Sequence, residues 1–378
     1  MDVNAVVAAL LRDLAAVQTS PQKRFAYRRA AAAVFELADP LAALVDANGT
    51  LRKIPGIGPA STRVIMDVLA HGGSPTVERA IADSGQQIEI ERQRQLRQRF
   101  LSRAEVARIL ADRGLPHPAP HPYLGDLQVH SEWSDGAPSV DTLAAAGLAQ
   151  GYAFIGVTDH SHGLRIARGI SMTDVLRQHA EIDRVNREYD GRFRLIKGIE
   201  ANIDADGHLD LSTEEVPVFE LVLAAPHSQL RRTEDQTQRL LAAVTTPGVH
   251  ILAHPRGRMS GTRAGIVADW PRVFAAARRA DVAIEIDGDP SRQDLDYEIA
   301  AQALEAGCLF ALDSDAHDTD QFWYADIARA HARLAGIPAS RIVNCWDTAT
   351  LLEWLTGKGR PRGKTRRSRR GPTLRGPT

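Results

Sequence analysis

The chain has 378 residues, 44% of them hydrophobic and 25% charged, with a formal net charge of −1. That composition is ordinary for a globular protein, and the length suits two domains. No apolar run approaches the ~18 residues that span a bilayer, no basic stretch precedes the apolar N-terminal segment, and Cys308 and Cys345 form no CxxC pair. These features disfavour a membrane protein, a secreted protein and a disulfide scaffold, and lead us to expect a reducing, cytoplasmic location. The charge is uneven: residues 358–378 hold nine Lys or Arg and no acid, which leaves residues 1–357 at −10.

In chain order, residues 2–112 read as helical. Val6–Ala16 is rich in Ala and Leu, and Arg24–Leu37 repeats small and apolar residues at helical spacing. The stretch Ile54-Pro55-Gly56-Ile57-Gly58 then reads as a tight turn between two helices. Its glycines permit positive φ, and its N–H groups, with the helix N-terminus after them, form a seat for a phosphate. This stretch resembles the helix-hairpin-helix motif, which implies a sequence-nonspecific grip on the DNA backbone. On that resemblance Lys23, Tyr27, Pro55, Gly56, Ile57, Gly58 and Arg63 are the expected DNA contacts. A purely structural αα-hairpin would use the same glycine turn. Gln87–Arg113 is a polar, Arg-rich helix or helix pair, the pattern of a solvated face.

Leu115-Pro116-His117-Pro118-Ala119-Pro120-His121-Pro122 cannot continue a helix and reads as a linker. The expected organisation is therefore a helical domain over 1–113, a linker over 114–123, a second domain over 124–357 and a basic tail over 358–378. The tail suits either extra nucleic-acid affinity or a solvated end.

From Gly125 onward strand-like and helix-like segments alternate. The strands are expected at Gly125–His130, Phe154–Asp159, Arg194–Ile203, Leu221–Ala225, His250–Ala253, Val282–Ile286 and Leu309–Leu312. Helical segments include Val140–Gln150, Ser171–Tyr189, Glu234–Val244, Trp270–Arg279 and Leu295–Ala306. Seven such units favour a closed or nearly closed α/β barrel, whose active site lies where the strands end.

At those ends stand His130, Asp135, His160, Glu200, His227, His254, Asp315 and His317. A single strand-end histidine is usually a hydrogen-bonded surface residue. Five histidines and three carboxylates converging on one mouth require cations to neutralise them, and nitrogen with carboxylate oxygen suits zinc, manganese or iron. Bridged metals make hydroxide at neutral pH and hold the oxygens of a phosphate ester, so the expected chemistry is hydrolysis. Glu200 suits a bridging role. Arg256 and Arg258 are the expected phosphate holders, with Arg263, Arg165 and Arg168 behind them, and His162 is a candidate for acid–base transfer. No G-x-S-x-G elbow is present.

The ordered segments Asp126-Leu127-Gln128-Val129-His130, Ser134-Asp135-Gly136, Thr158-Asp159-His160, Gly198-Ile199-Glu200, Pro226-His227-Ser228, Ala253-His254-Pro255 and Asp315-Ala316-His317 resemble the PHP (polymerase and histidinol phosphatase) domain. The resemblance covers about residues 124–356 and implies a distorted seven-stranded, TIM-like (β/α)7 barrel preceded by a small all-α domain. It also implies three divalent metal ions, manganese or zinc with iron as a further fit, held by Gln128, His130, Asp135, His160, Glu200, His227, His254, Asp315 and His317. Ser314-Asp315-Ala316-His317, Ala268-Asp269-Trp270 and Phe25-Ala26-Tyr27-Arg28-Arg29-Ala30-Ala31 look like the branch attached to bacterial family X DNA polymerases, which implies 3′-5′ exonuclease or 3′-end processing in DNA repair.

Three departures accompany the resemblance. Gln128 replaces the first histidine of an H-x-H pair, as it often does in that branch. The stretch before the linker has no acidic triad for nucleotide metals. Ala60 and Val64 stand where lyase-competent members carry lysines. The expectation is a nucleoid-associated, metal-dependent phosphoesterase that binds DNA, not membranes, and lacks polymerase and lyase activity. The alternatives are a small-molecule phosphomonoesterase of histidinol-phosphatase type and a DNA-binding module with a degenerate barrel. Repair partners are not named by the sequence.

Overall fold

The computed structural model describes residues 1–115 and 122–357. The expected basic tail and most of the Pro/His linker lie outside the described residues. No helix among the described residues is long and apolar enough to cross a membrane.

The N-terminal part is helical throughout: α1 (Val3–Ala16), α2 (Pro21–Phe35), α3 (Pro59–His71), α4 (Pro75–Ser84), α5 (Gln87–Gln95) and α6 (Arg103–Ala111). Local chemistry sets the boundaries. The Ser20 hydroxyl accepts from the Lys23 N–H ahead of a Pro at N1, and α3 ends on Gly72 with φ 75°. Val7, Leu11, Ala31, Val34, Val64, Ile65, Val77 and Ile90 bury one core shared by α1 to α5. Helix α6 leaves that core.

The barrel strands are β1 (Gly125–Val129), β2 (Phe154–Val157), β3 (Arg194–Asn202), β4 (Leu221–Ala225), β5 (Ile251–Leu252), β6 (Ala283–Asp287) and β7 (Leu309–Asp313). They pair in parallel, each with its successor in sequence. Helices α7 (Val140–Ala149), α8 (Met172–Tyr189), α9 (Thr237–Thr245), α10 (Trp270–Ala280), α11 (Tyr297–Glu305), α12 (Tyr324–Leu334) and α13 (Thr348–Gly357) follow or cover them. Five strands are buried along their whole length and β7 almost so, as expected of strands packed on both faces. Between β3 and β4 the chain makes only a 3₁₀ turn at Val216–Val218, so not every crossover is an α-helix.

Closure is irregular. Beside β7, β1 makes one parallel bridge, Val129 to Ala316, with the His130 N–H donating to the Ala316 carbonyl at 2.9 Å. One turn lower the Leu127 N–H donates to the Asp313 carboxylate at 2.8 Å in place of a backbone carbonyl. A side chain thus completes the seam and leaves the barrel mouth distorted.

The helical part and the barrel meet over a polar and apolar seam. Leu101, Val106 and Ile109 pack on Ile327 and Ala330 of α12. The Gln293 amide accepts from the Leu101 N–H at 2.8 Å and donates to its carbonyl at 3.0 Å. By packing, α6 belongs with the barrel it precedes.

Candidate metal centre

Along β1 the alternation sends Asp126, Gln128 and His130 to the barrel interior, all fully buried. Three carboxylates then organise the mouth. Asp135 Oδ1 lies 3.5 Å from His160 Nε2 and 3.4 Å from His317 Nε2. Asp315 Oδ1 lies 3.0 Å from His130 Nε2 and accepts from the Gln128 amide at 3.4 Å. Glu200 is the central one. Its Oε1 lies 2.7 Å from His254 Nε2 and 3.2 Å from His227 Nε2, and its Oε2 lies 2.8 Å from His160 Nδ1 and 3.6 Å from His130 Nε2. The rings are stacked or edge-on, with His130 to His317 centroids 4.3 Å apart. Structure therefore gathers all nine side chains singled out as ligands. Two four-ångström-scale groupings, His130–Asp135–His160–His317 and His160–Glu200–His227, share His160.

The donor set fits divalent metals by a test internal to the site. Glu200 Oε2 and His160 Nδ1 face each other at 2.8 Å as a buried ion pair, and His130 Nδ1 and Gln128 Oε1 are buried with no hydrogen-bond partner among the described residues. Buried polar atoms without partners are costly, and lone pairs converging on one space are what a cation satisfies.

The electrostatics agree. Burial works against the Glu200 and Asp315 carboxylates, but the imidazoles around Glu200, and Arg292 and His130 beside Asp315, hold both well below the usual range. Burial and two neighbouring imidazoles lower His130. Burial also opposes charge on His317, yet Asp135 and Asp315 push it up to about 9. Two ligand residues, His254 (φ 26°) and Asp315 (φ 54°), hold left-handed backbones, the strained conformation that collects at functional sites.

Around this centre are residues that the sequence reading missed. The Arg292 guanidinium is bonded to Asp315 Oδ2 and lies 3.4 Å from Asp287 Oδ2. Glu285 accepts the His254 N–H. Beneath the mouth Asp313 bonds to both Glu285 and Asp126, and burial pushes it up to about 6. Burial and the Asp313 charge also raise Asp126 and Glu285 well above the ordinary range. Asp159 accepts from Ser131, Ser134 and Gln178 and stiffens the loops flanking His130 and His160. The signal was present in Glu285-Ile286-Asp287, where acids alternate inside an otherwise apolar strand.

Arg256 and Arg258, the expected phosphate holders, are both ion-paired within the fold. Both guanidiniums are bonded to Asp296 Oδ2, at 3.0 and 2.8 Å. Arg258 is buried with its guanidinium 3.9 Å from the centre of the Phe100 ring and donates to the Arg292 carbonyl. Arg258 thereby ties the barrel loop to the helical part, and Arg256 also donates to the Ala264 carbonyl at 3.1 Å. Arg263 donates to the Gly257 carbonyl at 2.6 Å. Burial, then the like charges of Arg292 and Arg231, lower its pKa. His162, Arg165 and Arg168 are exposed on the loop after His160; that loop is fixed by Asp210, which accepts from Ser161 and the Gly163 N–H. His162 has no hydrogen-bond partner among the described residues.

In the N-terminal part, Gly56 has φ 83°, and the Ile57 N–H donates to the Ile54 carbonyl at 3.1 Å. Gly58 caps α3 without a side-chain hydrogen bond, and Pro59 opens the helix. Lys23, Pro55, Gly58 and Arg63 are exposed, and Tyr27, Gly56 and Ile57 half-buried. One feature differs from the expected pair of helices. The chain before the turn is a short 3₁₀ segment, Leu41–Leu44, followed by a Val45–Leu51 antiparallel bridge around Asp46 and Gly49. Asp46 accepts the Asn48 and Thr50 N–H groups, which favours a turn over a helix there.

No family model matches the chain. The chain is 34% identical over 252 residues to the Bacillus subtilis DNA polymerase/3′-5′ exonuclease PolX, a match covering 66% of this chain and 40% of that relative. It is 29% identical over 177 residues to a probable phosphatase of Yersinia pestis, covering 44% of this chain and 69% of that one. Among solved structures, the histidinol phosphate phosphatase of Lactococcus lactis, complexed with zinc, L-histidinol and phosphate, superimposes with a TM-score of 0.40 at 16% identity, covering 57% of this chain and 94% of that one.

Proposed function

This chain is a PHP-domain protein, homologous to the PHP region of a bacterial DNA polymerase/3′-5′ exonuclease, and from that premise we propose that it is a metal-dependent phosphodiesterase that trims DNA 3′ ends. The observation that carries the reading is the Glu200-centred cluster, in which four imidazoles converge on one buried carboxylate and Gln128 Oε1 and His130 Nδ1 beside it have no partner among the described residues. Bound divalent metals would supply a hydroxide at neutral pH and neutralise the phosphate oxygens. Three ions, as manganese or zinc, suit the three carboxylates.

The chain's own residues do the rest. Glu200 offers one oxygen to His227 and His254 and the other to His130 and His160, so it is built to bridge. Arg292 fixes the second oxygen of Asp315, and Glu285 fixes the His254 backbone, so neither ligand swings away. The fully buried walls exclude bulk water from one side of the mouth. At the other end of the chain, the Pro55–Gly58 turn offers backbone donors for a phosphodiester strand without reading its sequence. That second element favours DNA over a small ester.

Release of phosphate from a small ester is the second reading, favoured by the likeness to the Yersinia phosphatase. One experiment separates the two. Single-stranded DNA, 5′-end-labelled, is incubated with manganese and either wild type or the His227→Ala/His254→Ala double variant, beside phosphate release from histidinol phosphate. A manganese-dependent ladder that disappears in the variant is the expected result. Intact DNA with rapid release of phosphate from the small ester would overturn the exonuclease reading.

A further inference from the structure

Away from the barrel mouth, a cavity of about 490 Å³ opens in the seam between helical part and barrel. Arg12, Asp13, Arg28, Glu89 and Arg97 line it from the helical side, and Ser260 from the barrel. The barrel contribution is a hairpin, Met259 to Arg263, pressed against α5. Gly261 there has φ 62°, and a Cβ at that position would stand 3.5 Å from Gln93 Oε1.

The charges in this cavity do not cancel locally. Buried Asp13 is engaged by Arg94, at 2.7 Å, and by Arg97. Glu89 accepts from Gln93 at 2.9 Å and lies 3.7 Å from Arg92. The two remaining cations have no acid partner among the described residues. Arg12 makes one hydrogen bond, from Nη1 to Ser260 Oγ at 3.2 Å, out of five available donors, and Arg28 makes none. Burial and the like charge of Arg97 lower the Arg12 guanidinium below its ordinary range, and Glu36 offsets this only in part. A half-buried cation that no acid contacts directly is costly, and an anion seated there removes the cost.

We propose that this cavity is a phosphate-binding site separate from the metal centre, in which Arg12 and Arg28 hold a phosphate group belonging to a nucleic-acid strand or to a free phosphate. Planar guanidiniums are suited to tetrahedral oxyanions. Position favours the strand. The Ser260 N–H donates to the Ser291 carbonyl at 2.8 Å, and the next residue, Arg292, pairs with Asp315. The cavity therefore lies on the loop system that borders the barrel mouth, where a bound strand would run. The inference does not depend on which bond the barrel cleaves.

The test uses the full chain in EDTA, so that catalysis plays no part. Affinity for a short fluorescent oligo(dT) is read by anisotropy across a salt series for wild type, Arg28→Gln, Arg12→Gln and the double variant. Melting temperature is read in parallel with added inorganic phosphate. Each phosphate contact on a single strand contributes about 0.7 to the slope of log K against log salt, so the double variant is expected to lose about 1.4 from that slope. Weaker oligonucleotide binding with no phosphate-induced shift in wild type assigns the site to a strand. A phosphate-induced shift lost in the double variant, with oligonucleotide affinity unchanged, assigns it to free phosphate. If both readouts in the double variant match wild type, the proposal is overturned. Arg28 is exposed and bonds to nothing, so Arg28→Gln alone keeps the test valid if Arg12→Gln fails to fold.

Discussion

The barrel mouth and the Pro55–Gly58 turn are both suited to phosphate, but they are built from different materials. The mouth is made of side chains. Its imidazoles and carboxylates are buried, crowded and mutually shifted in pKa, and they acquire their arrangement from seven strands and a distorted seam. The turn is made of backbone: a glycine at φ 83° and a helix start capped by Gly58. Side-chain sites concentrate charge and do chemistry, whereas backbone sites offer neutral donors and hold without reading. The difference predicts that the two regions fail in different ways.

The largest effect is expected at Glu200. Glu200→Gln removes the charge that two pairs of imidazoles share, and hydrolysis should fall on the order of 10³-fold, the several kcal/mol that metal-assisted stabilisation supplies. Oligonucleotide affinity should be nearly unchanged, which steady-state kinetics beside anisotropy would check. Retained turnover would detach the chemistry from this cluster.

Chelation comes next. An ion at 1,000 times its Kd stabilises the folded state by about 4 kcal/mol. Dialysis against EDTA should therefore lower the melting temperature by several degrees, with recovery on adding manganese or zinc. A melting curve indifferent to chelation would argue for a mouth that binds no metal.

A smaller effect is expected at the turn. A side chain at φ 83° costs about 1–2 kcal/mol locally. Gly56→Val should weaken oligonucleotide binding by about 5- to 30-fold while hydrolysis of a small diester such as bis-p-nitrophenyl phosphate persists. If both decline together, the two regions are not separable in function.

The smallest effect concerns pH. Burial and the charge of Arg258 lower His331 to about 3, and its Nε2 lies 2.9 Å from Gln293 Oε1 in the seam. Unfolded, an ordinary histidine takes a proton near pH 6.5, so between pH 6.5 and 3 the unfolded chain binds more protons there. Stability from this residue is present above pH 6.5 and is lost on acidification at up to about 1.4 kcal/mol per pH unit. Urea midpoints for wild type and His331→Gln between pH 7 and 5 should converge. A constant gap would show that His331 is not held neutral.

The same contrast explains what the sequence discloses. Histidines at strand ends were legible because polar ligands following apolar runs stand out, and parallel strands force those ends together. The Asp126–Glu285–Asp313 cluster was less so: the alternation in Glu285-Ile286-Asp287 is visible, but an inward acid on a short strand looks like the polar face of an ordinary one. For Arg258 sequence distance and spatial placement differ. It is four residues from His254 in sequence, but Phe100 and Asp296 draw its guanidinium under the helical part. Arg292 was hidden because its partner Asp315 is 23 residues away. The Val45–Leu51 bridge stands where a helix before the Pro55–Gly58 turn is expected, because Asp46 and its backbone partners leave no periodic trace.

The most direct test of the account is the metal content of the full-length protein, measured by elemental analysis after reconstitution with manganese or zinc and removal of free ion, for wild type and Glu200→Gln in parallel with hydrolysis of 3′-labelled DNA. The account predicts that wild type retains at least about two ions per chain, as bridged-metal hydrolysis requires. Glu200→Gln should lose ions and activity together. A wild-type chain that cleaves DNA while retaining no transition metal would contradict it.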